Sequence, residues 1–310
     1  MTKGWDWVSP LTRLGRTGIL AWRMAREVML KFSRDHGLFL ASGLAFSLLL
    51  YAIPLALIMI SALGYTVLES QQAMQEVQSV IRQFLPKSEQ IFAENVEAVV
   101  ADRGLLGAVG FTLFVALSTT LFGFVRHVLN VVFQAGPGRS LLRGTAHDLL
   151  MLAFCVALLI AAIGLASLFA VIGNIGAHVP AVGFLWGKGI RMIHRITGIL
   201  LGTGLILGLY RFSPVKTLKL GSLAVGAAVA VSLFGLAKQA FAWYVQFAQA
   251  NIALYGALGA FLFFFLWLYY VSVLFVVGAE AAWVFEHRRT LVPSAGGAAQ
   301  DAIEPFIHRP

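Results

Sequence analysis

Four polar residues near the end of one long apolar run, residues 220–248, could bind a charged ligand. Lys238 lies inside the run, and an ionisable side chain in an apolar segment is a candidate functional group. It follows Lys219 by 19 residues, which is ~28 Å of helix. At that depth its ammonium group could also extend to the lipid headgroups, so a binding role and a purely structural role both remain open. The candidate binding residues are Lys238, Gln239, Gln246 and Asn251.

Glu280 closes the last apolar run and is the second ionisable group of interest. It follows Tyr255 by 25 residues, or ~37 Å of helix, which exceeds the ~30 Å of a hydrocarbon core. We therefore predict that Glu280 acts at the inner rim of the membrane as an anchor or gate element. Its candidate ion-pair partners are Arg211 and Arg126, and Asn130 is assigned to the same rim.

Signatures of common enzymes are missing from the sequence. It contains no phosphate-binding P-loop, no zinc-protease H-E-x-x-H pair and no G-x-S-x-G nucleophile motif. The seven histidines show no metal-ligand spacing, and the single cysteine, Cys155, excludes an intrachain disulfide. We expect a protein that is not an enzyme and needs no cofactor and no metal.

The composition predicts the elements that must position these residues. Hydrophobic residues make up 59% of the 310 residues, charged residues make up 12%, and the mean hydropathy is +0.83, far from the values of soluble domains. The apolar runs are continuous rather than alternating, which favours helices over a β-barrel. We predict an all-α polytopic bundle of six transmembrane helices at about 38–68, 104–125, 149–172, 192–210, 220–248 and 255–284.

The distribution of Lys and Arg predicts the orientation. Sixteen lie in the termini and in the loops after the second and fourth spans, whereas six lie in the other loops. The positive-inside rule then places both termini in the cytoplasm. Residues 1–36 predict a basic amphipathic segment on anionic lipid, which we favour over nucleic-acid binding.

Three further features refine this organisation. The outer loop 69–103 has apolar residues at helical spacing, so it predicts short helices outside the membrane. Residues 286–310 predict a disordered cytoplasmic tail after the membrane domain 37–285. Pro54 lies inside the first span and should kink it, and the pairs Gly198/Gly202 and Gly204/Gly208 predict close helix contacts.

Four sequence blocks resemble a known family. They are "LASGLAFSLLLYAIPLALIMISALGY", "HVLNVVFQ" with Asn130, "YRFSPVKTLKLGSLAVGAAVA" and "YGALGAFLFFFLWLYYVSVLFVVGAE". Together they resemble the BrkB/YihY family of bacterial inner-membrane proteins over about residues 20–290. The resemblance implies a six-helix inner-membrane protein involved in envelope lipid handling or transport, and it identifies no catalytic residue.

Two functional hypotheses follow. The first is a transporter or lipid translocator whose partners are membrane lipids, in particular anionic ones. The second is a non-catalytic membrane scaffold or assembly factor, which would bind an envelope protein or form a homo-oligomer. Nucleic acid is not expected as a partner under either hypothesis.

Overall fold

The structure is a computed structural model, and it describes residues 9–67, 103–136, 141–177 and 183–291. Every regular element within these ranges is a helix. The helices are α1 Ser9–Arg34, α2 Gly37–Val67, α3 Arg103–Val132, α4 Leu141–Ala177, α5 Gly183–Phe212 and α6 Leu220–Leu291.

Six helical stretches of the described chain are long and apolar enough to cross a membrane, which confirms the predicted fold class. They are Gly37–Met59, Gly104–Val132, Gly144–Phe169, Met192–Phe212, Leu220–Tyr244 and Phe261–Arg288. Most boundaries agree with the predicted ones to within a few residues. The second span is longer than predicted because its helix continues through Arg126, the charged residue at which the sequence predicts its end.

The last two spans form a hairpin within α6. Its first arm contacts its second arm in antiparallel order: Gly226 faces Gly278 and Ala282, whereas Phe241 packs on Phe263 with ring centroids 6.2 Å apart. The chain direction therefore reverses between the two arms, which we call the α6 hairpin.

The core of the bundle lies between α2, α3 and the α6 hairpin. Leu44 of α2, Val128 and Leu129 of α3, and Leu223 and Val276 of α6 are all buried in one cluster. Pro54 is buried inside α2, whose helix continues past it to Val67. Helix α5 adds Tyr210 to this core, whereas Met151 and Leu152 of α4 pack with Phe122 of α3 in a second, smaller cluster.

Helix α1 packs against the same bundle. His36, with φ of +53°, forms the tight turn between α1 and α2. Because α6 continues to Leu291, residues 286–291, which the sequence assigned to the tail, are helical. Residues 292–310 and the predicted loop helices in 69–102 lie outside the described residues.

Candidate functional site

A buried lysine joins three helices at one end of the bundle. Lys31 of α1 is 2% exposed; its Nζ lies 2.7 Å from Oε2 of Glu280 in α6 and donates a hydrogen bond of 2.8 Å to the carbonyl of Val132 at the end of α3. It also pairs with Asp35, one turn further along the chain, and lies over the Trp283 ring, 4.5 Å from the ring centroid. We call Lys31, Asp35, Val132, Glu280 and Trp283 the Lys31 cluster, and the end of the bundle that holds it the α1 end.

Local sequence explains how these groups meet. Lys31 and Asp35 are four residues apart, so they occupy one side of the last turn of α1. Phe32, next to Lys31, is buried in the core and fixes the rotation of that turn. On the second arm of α6, Glu280 and Trp283 are three residues apart and face the same direction. Packing of α1 on that arm therefore brings the lysine to the carboxylate.

Glu280 is the most enclosed charged group of the cluster. Its side chain is 0% exposed. Its Oε2 forms the ion pair with Lys31, whereas Oε1 has no hydrogen-bond partner among the residues that the structure describes. Removing one member of a buried pair typically destabilises a protein by about 3–5 kcal/mol, because it leaves the other charge uncompensated. Replacing Lys31 alone is therefore expected to destabilise the fold.

Tyr210 attaches α5 to the second arm of α6 beside this cluster. It is fully buried, and its hydroxyl donates a hydrogen bond of 2.5 Å to the carbonyl of Phe275. Gly278 lies directly beneath the hydroxyl, and a Cβ at this position would be 2.6 Å from it. The glycine is thus required for this close approach.

Asn130 joins the connections that follow α3 and α5. Its side-chain oxygen accepts a hydrogen bond of 2.9 Å from the backbone N–H of Val215, and its own carbonyl accepts one from Ala135. Gln134 and Gly136 both have positive φ and terminate α3. The predicted rim position of Asn130 is thus part of a loop-to-loop link at the α1 end.

The two arginines named as candidate partners of Glu280 bind elsewhere. Arg126 lies 2.8 Å from Asp148 of α4 and also donates to the carbonyl of Gly144, so it ties α3 to α4. Arg211 donates to the hydroxyl of Thr217 at 2.6 Å. Lys31 takes the position beside Glu280 instead. Its helix was interpreted as a surface segment, and helical spacing alone does not reveal which element covers a given face.

The predicted binding residues in the first arm of α6 lie far from the Lys31 cluster. Lys238 and Gln239 are exposed on the outside of the bundle. Gln246 and Asn251 belong to α6, but their side chains lie outside the described residues. Among described residues, no group of three or more His, Cys, Asp or Glu side chains could hold a metal ion.

Comparison with known proteins identifies the family. The Virulence factor BrkB family model matches residues 28–303, a range that includes both Lys31 and Glu280. The chain belongs to the BrkB family. No solved structure matches it.

Similar proteins carry only a generic membrane-protein name. The chain is 26% identical to a UPF0761 membrane protein of Aeromonas salmonicida over 83% of its own length and 86% of that protein. It is 24% identical to a UPF0761 membrane protein of Haemophilus influenzae over 86% of its length and 93% of that protein. The predicted family and the multi-pass membrane character are thus confirmed, and the activity is a matter for proposal.

Proposed function

We propose that this BrkB-family protein transports an anionic envelope lipid across or within the bacterial inner membrane, with the α1 end in the cytoplasm. The observation that carries the proposal is a pair of exposed cations, Lys238 and Arg195, at the same depth in two neighbouring helices. Lys238 lies 18 residues from Leu220 and Arg195 lies 17 residues from Phe212, so both are ~26 Å from the α1 end.

This depth corresponds to the headgroup level of the leaflet opposite the α1 end, since the hydrocarbon core is ~30 Å thick. His194, next to Arg195, is exposed too. Cations at that level attract anionic headgroups with about 1 kcal/mol for each Lys or Arg. The sixteen-to-six excess of Lys and Arg in the predicted inner segments supports placing this level in the outer leaflet.

An open flank beside these cations offers a place for acyl chains. We call residues 159–171 of α4 and 192–200 of α5 the far half of the α4–α5 hairpin. Phe169 contacts His194 across it, so the two helices stay together. Yet eight of the nine residues 192–200 are exposed, on all sides of α5. We infer that the far half stands away from the bundle and that lipid chains enter the space between them.

The proposal requires no catalytic step, in keeping with the missing enzyme motifs. A scaffold that binds an envelope protein would use the same exposed surfaces without moving lipid. The two hypotheses differ in one measurable property, which is the rate at which lipid changes leaflet in vesicles that contain only this protein.

The test is reconstitution into vesicles with fluorescent lipids whose signal is quenched from outside. We expect the protein to move a phosphatidylglycerol analogue faster than a phosphatidylcholine analogue. Lys238→Ala should reduce this preference by about fivefold, the equivalent of about 1 kcal/mol. Gln239→Ala, an exposed neutral neighbour, is the matched control and should retain it. Rates equal to those of protein-free vesicles would refute lipid transport and favour the scaffold.

A further inference from the structure

The Lys31 cluster contains more negative than positive charge. It holds one ammonium group, that of Lys31, and two carboxylates, those of Asp35 and Glu280. Lys31 is 2% exposed, Glu280 is 0% exposed and Asp35 is 18% exposed, so water compensates this excess poorly. Burial of an unbalanced charge is unfavourable, and the cluster therefore has a place for one further positive charge.

The vacant position is at Glu280. Its Oε1 is buried and has no hydrogen-bond partner within the described part of the chain. The titratable and charged groups that face this carboxylate there are Lys31 and Asp35 from α1 and the turn after it, and Tyr210 from α5. The Tyr210 hydroxyl already donates to Phe275, and the single ammonium is shared with Asp35. A proton on Oε1 would balance the charge without needing further space.

We propose that Glu280 is a proton-binding site and that its protonation strengthens the docking of α1 on the bundle, because the docked cluster binds the proton more tightly than a hydrated, undocked Glu280 would. The proton comes from water at the α1 end, where Asp35 is partly exposed, and bonds to Oε1. The excess negative charge is then removed, and Lys31 keeps its ion pair with Asp35 and its hydrogen bond to the Val132 carbonyl of α3. This inference goes beyond the proposed lipid transport, because it concerns the opposite end of the bundle and holds for any transported molecule.

Infrared difference spectroscopy between neutral and acidic pH tests the proton site directly in the reconstituted protein. We expect the wild-type protein to show a carboxylic acid band that is absent from Glu280→Gln. Glu286→Gln is the matched control, because Glu286 is on the same arm and is paired with Lys219 and Ser222 at the surface. It should retain the Glu280 band. Identical spectra for wild type and Glu280→Gln would overturn the proposal.

A distance measurement tests the effect on α1. Arg26 of α1 and Arg288 of α6 are both exposed, so spin labels at Arg26→Cys and Arg288→Cys in a Cys155→Ala background report the docking. We expect acidic pH to narrow and shorten the distance distribution. Glu280→Gln should show the acid distribution already at neutral pH, whereas Glu286→Gln should not. A Glu280→Gln distribution equal to that of the wild type at neutral pH would refute the coupling.

Asp35→Asn provides a second variant in case Glu280→Gln does not fold. It leaves one ammonium facing one carboxylate, so the excess charge is gone. We expect both the acid band and the distance change to shrink over the same pH range. Unaltered responses in Asp35→Asn would show that charge imbalance does not drive proton uptake and would overturn the proposal.

Discussion

The α6 hairpin and the α4–α5 hairpin have similar composition but different surroundings. Both consist of two apolar spans and both contain several glycines. In the α6 hairpin, Gly226 and Gly278 let the two backbones touch, and 28% of the residues in the most apolar stretch of the first arm and 17% of those in the second are buried. The corresponding stretches of α4 and α5 are each 6% buried. Apolar helices with small residues thus need not pack in the core, because in a membrane their alternative neighbour is lipid.

The glycines illustrate this difference most directly. No atom of the described residues outside the local helix lies within 4 Å of where a Cβ of Gly198, Gly202 or Gly204 would be, whereas one on Gly208 would clash with Phe154. The predicted close contact at Gly198/Gly202 is therefore wrong within the described structure. Spacing four residues apart creates a smooth face, but a partner helix must also be present for that face to form a contact.

The largest expected effect comes from breaking the Lys31–Glu280 ion pair between α1 and the α6 hairpin. Lys31→Met leaves the Glu280 carboxylate buried without a cation, so it should lower the free energy of unfolding by about 3–5 kcal/mol. Lys238→Met, in the first arm of α6, should change the free energy of unfolding by less than about 0.5 kcal/mol because the Lys238 side chain is exposed. Unfolding with sodium dodecyl sulfate measures both. Equal effects of the two variants would show that the Lys31–Glu280 ion pair does not stabilise the fold.

An intermediate effect is expected from closing the glycine contact of the α6 hairpin. In Gly226→Val the new Cβ would overlap the carbonyl oxygen of Gly278 and lie 2.6 Å from the Cβ of Ala282. We expect a loss of about 1–3 kcal/mol in the free energy of unfolding, typical of overpacking.

Gly202→Val in α5 is the control for that substitution, because the space around Gly202 is open. It should change the free energy of unfolding by about 0.5 kcal/mol or less. If Gly202→Val were as destabilising as Gly226→Val, this part of α5 would have to pack against protein, and the comparison between the hairpins would fail.

The smallest effect concerns the point where the two hairpins meet. Tyr210→Phe removes the hydrogen bond to the Phe275 carbonyl and should lower the free energy of unfolding by about 1 kcal/mol. Tyr270→Phe, at an exposed position of the α6 arm that carries Phe275, should leave the free energy of unfolding unchanged. Thermal unfolding of the two variants in parallel makes the comparison, and a neutral Tyr210→Phe would mean that packing alone attaches α5.

The membrane spans could be predicted from the sequence alone, because a continuous apolar run in lipid must satisfy its backbone hydrogen bonds internally as a helix. Glu280 and Asn130 could also be identified from the sequence, because a polar residue that ends or follows an apolar run is easy to recognise there. The sequence did not reveal Lys31 as the partner of Glu280. The two residues lie 249 positions apart, and no local pattern links them.

Which apolar faces contact each other and which face lipid depends on how the helices pack in the folded protein. Hydrophobicity drives all six spans into the membrane, and the most hydrophobic of them lies in the peripheral helix α4 rather than in a core helix such as α3. Contact between helices depends on shape and on a few polar links, among them Lys31 with Glu280, Arg126 with Asp148, and Tyr210 with Phe275. These are pairwise properties of distant residues, and they become visible only once the chain is folded.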